Sequence, residues 1–112
     1  HGDEPNGADG LICGICDMSG ITHEQYCASG KAPRNTAHAQ LTIFCVSSWK
    51  NDGLKAGPMR NKAMRDSGNI AGCVAFRSEG KSNGTDNMIR LCADIGIPRI
   101  VYMADGTRHT SE

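Results

Sequence analysis

The chain has 112 residues, and its 12 basic and 12 acidic side chains give a formal net charge of zero at pH 7. This balance argues against the broad positive surface that sequence-independent nucleic-acid binding requires. The length allows one domain with one modest core. No apolar run approaches the roughly 20 residues needed to span a bilayer, so we expect no membrane partner.

The six cysteines are better explained as reduced thiols than as a disulfide framework. Three of them, Cys45, Cys73 and Cys92, lie inside apolar runs, where a cysteine behaves as a small hydrophobic residue. Reduced thiols are typical of a reducing compartment. We therefore expect a cytoplasmic protein.

The opening segment, HGDEPNGADG, has no initiator methionine and reads as the interior of a longer chain or as a processed product. The first predicted helix follows it and ends at Gly20. The helix is predicted by apolar residues at the spacing of one helical face, namely Ala8, Leu11, Ile12, Ile15 and Cys16. Residues 23–40 are polar and show no sustained period, so we expect an irregular insertion there.

Strands and helices then alternate. The apolar run at 41–46 predicts a buried strand, and a helix is expected from Gly57 or Pro58 to about Ser67. The remaining predicted elements are a strand at 70–76, a helix at 86–96, a strand at 97–103 and a polar tail at 104–112. This alternation predicts an α/β fold with a mostly parallel sheet in three layers and helices on both faces.

Three loops are expected at the carboxyl ends of these strands, where open α/β sheets bind their ligands. They are HGDEPNGAD, SSWKNDGLKAGPMRN and RSEGKSNGT. Each is rich in glycine and polar residues and runs into a helix N-terminus, where free backbone N–H groups favour an anion such as phosphate. The pattern predicts an anion-binding crevice.

Several short motifs together resemble one known family. They are HG and GAD before a helix, Trp49, AGPMRN followed by Met64, AF at a strand end, GT opening a helix, and GIP before the last strand. This combination resembles the YspA-like branch of the SLOG superfamily, across residues 1–22 and 41–103. The resemblance implies a Rossmann-like domain related to the DNA-processing protein DprA and to the LOG phosphoribohydrolases.

The chain departs from that family in two places. Family members have a strand and a helix before the HG motif, so the resemblance implies that this domain is incomplete at its N-terminus. The missing strand would leave a sheet edge open, which a preceding segment or a second copy of the chain would complete. The segment at 23–40 is also longer than the family's usual link, and a lid, an interface or a spacer would each explain it.

Arg60 and Asn61 are the leading ligand-binding candidates. An arginine can hold a phosphate or carboxylate with two hydrogen bonds, and an asparagine can bind a ribose hydroxyl or a base edge. The alternative for Arg60 is an exposed side chain paired with Asp66 or with solvent. The resemblance favours a nucleotide-like small molecule in contact with Gly2, Gly7, Asp9, Trp49, Gly57, Arg60, Asn61, Ser82, Gly84 and Thr85.

Each of the other candidates has an ordinary structural explanation. The Gly84–Thr85 step resembles a phosphate loop, but a threonine is also a common residue at the start of a helix. Asp9 would either contact a ribose or favour the first turn of its helix. Trp49 would either stack on a base or pack as an anchor.

A zinc site is the alternative to core thiols for the soft side chains near the N-terminus. Cys13, Cys16, His23 and Cys27 have spacings that a tetrahedral site can use. However, Cys16 lies on the predicted apolar face of the first helix. Core packing is therefore preferred, and no metal or other cofactor is assigned.

The resemblance separates binding from catalysis. LOG enzymes carry a GGxGTxxE motif whose glutamate contributes to N-glycosidic bond cleavage, and Met88 stands at that position here. Asp9 and Asp86 are the remaining carboxylates that could act in catalysis. The leading hypothesis is therefore a sensor or regulatory domain that binds a nucleotide-derived ligand, in a phage or mobile-element setting.

Two alternatives to this hypothesis remain open. One is a hydrolase that acts on the N-glycosidic bond of a nucleotide. The other is a single-stranded DNA-binding domain like that of DprA, which the zero net charge and the low aromatic content of 4% disfavour.

Overall fold

A computed structural model describes residues 1–2, 4, 7–27, 41–44, 52–68, 70–80 and 82–111, with the backbone alone at 41–44. The chain divides into two compact units, His1–Arg60 and Asn61–Glu112. In the part of the chain that the structure describes, no helix combines the length and the apolar composition needed to cross a bilayer.

The first unit contains helix α1 (Ala8–Ser19) and strands β1 (Glu24–Cys27) and β2 (Leu41–Phe44). The two strands pair in parallel, from Glu24 opposite Leu41 to Cys27 opposite Phe44. A short 3₁₀ helix, Gly53–Lys55, leads into helix α2 (Ala56–Arg65), whose first turn contains Pro58.

The end of α1 confirms the predicted stop at Gly20. This glycine adopts a left-handed conformation with φ of 67°, which costs a glycine little because it has no Cβ atom. The N–H group of Ile21 then donates to the carbonyl of Cys16 at 2.9 Å, which satisfies an orphan carbonyl at the helix end.

The buried face of α1 agrees with the predicted apolar face only at Cys16. Cys13 and Cys16 are buried, whereas Leu11 is 71% exposed and Ile15 is 54% exposed. The reason is local, because the Cys13 side of the helix faces His23, which lies just before β1. The buried side of α1 is therefore the side that contacts His23 and not the apolar stripe of the helix.

The second unit contains strand β3 (Cys73–Arg77), helix α3 (Asn83–Asp94) and strands β4 (Arg99–Met103) and β5 (Arg108–Ser111). Strands β3 and β4 pair in parallel. Helix α3 connects them in the sequence. Strand β5 then pairs antiparallel with β4, so the sheet order is β3-β4-β5.

The prediction of a mostly parallel, three-layer Rossmann-like sheet is wrong. The described strands form a two-stranded parallel sheet and a three-stranded mixed sheet, within a small α/β architecture. Two segments expected to be irregular contribute strands. Residues 24–27, at the start of the expected insertion, form β1, while the expected polar tail contains β5.

A tight turn explains why the tail folds back on the sheet. Gly106 has φ of 87°, and the carboxylate of Asp105 accepts hydrogen bonds from Thr107 N at 2.9 Å and Thr107 Oγ1 at 2.6 Å. The N–H group of Met103 donates to the carbonyl of Thr107 at 2.8 Å. Asp-Gly is a strong hairpin signal, and it reverses the chain into an antiparallel strand.

The core of the second unit is small. Its buried apolar residues are Ala75 from β3, Cys92 from α3 and Ile97 from the link between α3 and β4. The N–H group of Ile97 donates to the carbonyl of Cys92 at 3.0 Å. Ile97 therefore closes the end of α3 through its backbone and contributes a buried side chain to the core.

We expect Ile97→Ala to lower the free energy of unfolding by about 2–5 kcal/mol, because it removes a buried side chain and leaves a cavity. Urea denaturation followed by circular dichroism measures the change. Ile95→Ala is the matched control, since Ile95 is 56% exposed and its truncation should change stability by no more than about 0.5 kcal/mol. Equal losses in the two variants would contradict the placement of the core.

Candidate functional site

In the first unit, Gly2, Asp9 and Arg60 lie together, and we refer to these three residues as the arginine corner. A Cβ atom added to Gly2 would lie 2.5 Å from Asp9 Oδ2 and 2.6 Å from Arg60 Nη1. Both distances are shorter than real Cβ contacts. The backbone of Gly2 therefore approaches the carboxylate and the guanidinium more closely than any other residue would allow.

Asp9 holds the opening loop against the start of α1. Its Oδ1 atom accepts a hydrogen bond from Gly2 N at 3.2 Å, and its Oδ2 atom accepts one from Glu4 N at 3.3 Å. Asp9 also lies in the first turn of the helix, where the helix dipole favours a negative charge. Both backbone contacts support the structural interpretation of Asp9 that the sequence left open.

The remaining predicted residues of the opening loop and of the start of α2 have less specific surroundings. Gly7 precedes α1 in an extended conformation and contributes no side-chain cap. Gly57 is buried within the first turn of α2. Trp49, which was predicted to stack on a base or to anchor the fold, lies outside the described residues.

In the second unit, Asn61 connects α2 to the start of α3. Its Nδ2 atom donates to the carbonyl oxygen of Gly84 at 3.2 Å and to Asn87 Oδ1 at 3.1 Å, and the residue is only 4% exposed. Both N–H groups of the amide are thereby used within the protein. The structure brings Asn61 and Gly84 together as the sequence predicted, but through a contact that fixes the helix.

The start of α3 has no side-chain cap. Ser82 occupies the N-cap position without capping the helix, and its hydroxyl lies 2.8 Å from that of Ser78 instead. Thr85 is half-buried in the first turn. The first-turn N–H groups are therefore not capped by the residue that usually satisfies one of them.

Asp86 forms an ion pair with Arg77, the last residue of β3. Arg77 Nε donates to Asp86 Oδ1 at 2.8 Å, and Arg77 Nη2 donates to Oδ2 at 3.1 Å. The hydrogen bond from Arg77, assisted by its positive charge, lowers the pKa of Asp86 below its ordinary value of 3.8. Sequence reasoning did not single out Arg77, although its position at a strand end was a usable signal.

A shallow, open pocket of about 200 Å³ lies at the carboxyl ends of β3 and β4, one of the places where the sequence predicted a crevice. Its lining includes the side chains of Arg77, Glu79 and Asp105. Two of these three charges are negative, and the guanidinium of Arg77 is held by Asp86. The charges of this pocket do not favour a phosphate.

A second feature of the first unit is the imidazole–thiol cluster, which consists of His1, Cys13 and His23. His1 Nε2 lies 2.9 Å from His23 Nδ1, and Cys13 Sγ lies 3.8 Å from the same His23 atom. The three potential ligand atoms all lie within 4.8 Å of one another. Burial raises the pKa of the Cys13 thiol, and the neighbouring Cys16 raises it further.

This cluster differs from the zinc candidates named from the sequence. Cys13 and His23 are brought together as proposed there, but Cys16 and Cys27 are buried outside the group, and His1 takes part instead. The spacing of Cys13 and Cys16 was a misleading signal, because residues three apart on a helix need not point at the same partner. In the sequence, His1 stands out only as part of the HG motif.

The described cysteines, which are Cys13, Cys16, Cys27, Cys73 and Cys92, are free thiols. Burial, together with the neighbouring Cys92, raises the pKa of Cys73 to about 11. A reactive thiol needs a lowered pKa, so Cys73 is not poised as a nucleophile.

No family model, curated protein or solved structure matches this chain.

Gly2→Ala tests the close approach in the arginine corner. The added methyl group must displace Asp9 or Arg60, so we expect it to lower the free energy of unfolding by about 1–3 kcal/mol. Gly14→Ala is the control, since a Cβ atom at that position in α1 meets no atom of the described residues within 4 Å. This substitution should stabilise the helix by about 0.5–1 kcal/mol. Urea denaturation compares both variants with the parent chain. An unchanged free energy of unfolding in Gly2→Ala would refute the packing described.

The ion pair between Asp86 and Arg77 predicts a pH dependence. Because the folded-state pKa of Asp86 is lowered, its contribution to stability is present above the ordinary pKa of 3.8 and is lost as the pH falls through the folded-state value. The parent chain should therefore be more stable than Asp86→Asn at about pH 6, and this difference should shrink towards about pH 3. Urea midpoints at both pH values measure it.

Asp94→Asn is the matched control for that experiment. It removes the same charge from the opposite end of α3, where the helix dipole disfavours an anion. It should not reproduce the loss seen for Asp86→Asn. A difference for Asp86→Asn that stayed constant down to the lower pH would rule out a lowered pKa.

Proposed function

We propose that this chain is a binding domain for a phosphate-bearing, nucleotide-derived small molecule, and that it is a divergent relative of the YspA-like SLOG proteins that its motifs resemble. The observation that carries this proposal is the arginine corner, where the Arg60 guanidinium lies against a glycine backbone. Its role would be sensing or regulation.

The chemistry of the corner supports a phosphate. The planar guanidinium of Arg60 can present two parallel N–H groups to phosphate oxygens. Because Gly2 has no Cβ atom, the Arg60 guanidinium can lie directly against its backbone. The corner also adjoins the first turn of α1, where N–H groups and the helix dipole favour an anion. That the phosphate belongs to a nucleotide is an inference from the family resemblance.

In the second unit, Asn61 does not have the ligand-binding role that the sequence suggested. Asn61 uses its amide N–H groups on Gly84 and Asn87, so we assign it to positioning the start of α3 and not to contacting a ribose. The first turn of α3, whose N-cap residue provides no side-chain cap, contains Gly84 and Thr85, which resemble the family's phosphate loop in sequence. It is the second place at which a phosphate would be favourable.

Binding is preferred to cleavage because both candidate carboxylates are already engaged. Asp9 accepts two backbone N–H groups, and Asp86 is paired with Arg77. A general acid or a group that stabilises an oxocarbenium ion needs a carboxylate that can reach the substrate. We therefore do not extend the proposal to an N-glycosidase, and the zero net charge likewise does not favour a DNA-binding role.

Isothermal titration calorimetry with AMP, ADP-ribose and adenosine tests the proposal. We expect AMP or ADP-ribose to bind and adenosine, which lacks a phosphate, to bind more weakly. Arg60→Ala should weaken binding by about 10-fold to 100-fold, since a hydrogen bond to a charged group contributes about 1.5–3 kcal/mol.

Arg90→Ala is the control for lost charge, because Arg90 is an exposed arginine on α3. It should leave the affinity unchanged. Two results would contradict the proposal. Equal affinity for AMP and adenosine would exclude a phosphate site. Equal losses of affinity in Arg60→Ala and Arg90→Ala would show that only the net charge of the protein matters.

A further inference from the structure

We propose that the imidazole–thiol cluster is a zinc site, with His1 Nε2, Cys13 Sγ and His23 Nδ1 as the protein ligands. This site is separate in chemistry from the proposed phosphate site, and it stands on its own observations. It joins three parts of the first unit, namely the start of the chain, helix α1 and the residue before β1.

The distances between the ligand atoms are close to those of a tetrahedral zinc centre. With Zn–N bonds of about 2.0 Å and Zn–S bonds of about 2.3 Å, two nitrogen ligands lie about 3.3 Å apart and a nitrogen and a sulfur about 3.5 Å apart. The corresponding distances here are 2.9 Å between His1 and His23 and 3.8 Å between His23 and Cys13. The third pair, His1 Nε2 and Cys13 Sγ, lies within 4.8 Å, so a tetrahedral arrangement requires side-chain movements and no change of fold.

The tautomer of His1 is already the one that a metal requires. Its Nδ1 atom lies 2.7 Å from the carbonyl oxygen of Gly2, and because a carbonyl can only accept, Nδ1 carries the proton. The Nε2 lone pair of His1 then accepts a hydrogen bond from His23 Nδ1, and binding of a metal requires that proton of His23 to move to its Nε2 or to leave. A ligating histidine usually donates its other N–H group to a carbonyl or carboxylate in this way.

The backbone around His1 is also fixed. The N–H group of Tyr26 donates to the carbonyl oxygen of His1 at 2.9 Å, so the residue lies along β1. The two imidazoles stack with their centroids 5.2 Å apart and their planes 29° apart. Both ligands are thus held before any ion binds, which lowers the cost of ordering them.

The ligand types select the metal. Imidazole nitrogen and thiolate sulfur are the ligands that zinc prefers in proteins, whereas magnesium and calcium prefer oxygen. Three protein ligands leave the fourth tetrahedral position for water or a small-molecule donor. A nucleophilic role for the thiol is not supported, because Cys13 is 0% exposed and reactive cysteines are partly exposed.

Gln25 adds an independent sign that the start of β1 is polar. It is fully buried, and among the residues that the structure describes neither Oε1 nor Nε2 of its amide has a hydrogen-bond partner. Gln25 lies in β1 two residues after His23. A buried amide without a partner is costly, and a further polar ligand beside it would relieve that cost.

Titration of the reduced 112-residue chain with Co²⁺ tests the site directly. We expect one equivalent to bind and to give the intense visible bands of tetrahedral cobalt together with a thiolate charge-transfer band. Zinc should then displace the cobalt, since it binds such ligand sets more tightly. The parent chain should also gain thermal stability with zinc, because a ligand that binds only the folded state stabilises it.

Four variants assign the ligands. Cys13→Ser should abolish the charge-transfer band. His23→Gln should weaken cobalt binding by more than about 100-fold. Loss of a residue that only supports a ligand weakens metal binding by at most about that factor. Cys16→Ser and Cys27→Ser are matched controls, because both thiols are buried in the same unit but lie outside the cluster. Both controls should keep the parent spectrum, and circular dichroism without metal verifies that each variant is folded.

Two outcomes would overturn the proposal. If the parent chain gives no thiolate band with cobalt, the cluster is a hydrogen-bonded core pair of imidazoles beside a thiol. If Cys16→Ser or Cys27→Ser removes the band while Cys13→Ser keeps it, the metal is held by another set of ligands. The parent measurement decides the first question even if a variant fails to fold.

Discussion

The carboxylate of Asp9 is the contact on which the geometry of the first unit depends. By accepting the N–H groups of Gly2 and Glu4, it holds the opening loop against the first turn of α1. That placement brings His1 beside His23 and Gly2 beside Arg60. The arginine corner and the imidazole–thiol cluster are thus two consequences of one hydrogen-bonded loop. A glycine at position 2 is required because the side chains of Asp9 and Arg60 occupy the space of a Cβ atom.

The second unit is organised around the parallel pair of β3 and β4 and the helix that connects them. Arg77 at the end of β3 holds Asp86 in the first turn of α3, and Asn61 holds the same turn through Gly84. These contacts fix the start of α3 without using a side-chain cap. They also engage the Asn61 amide and the Asp86 carboxylate, which the sequence suggested for ligand binding and for catalysis. In this unit, the polar residues of the loop are engaged mainly in positioning the helix.

The helices and the parallel strand pair β3–β4 were predictable because their signals are local. Gly20 ends α1 and Pro58 lies in the first turn of α2, as the sequence indicated. Strand β5 was missed because a polar segment reads as a tail unless the Asp105–Gly106 turn is recognised as a hairpin signal. Strand β1 was missed because a single strand without strong alternation is defined only by its partner. The sheet as a whole was mispredicted for the same reason, since pairing between distant strands leaves no periodic trace.

For the candidate sites, the sequence determined which chemistry was present: a guanidinium next to an amide, carboxylates at two helix starts, and soft metal ligands near the N-terminus. It also determined the positions of the glycines, the turns and the helix ends, because these depend on residues within a few positions of one another. Only the tertiary structure decided which groups meet. It placed His1 beside Cys13 and His23, while Cys16 and Cys27 lie outside that cluster. It also paired Asp86 with Arg77. The physical reason is that hydrogen bonds and metal geometry act over about 3 Å in space, and that proximity is set by how strands and helices pack.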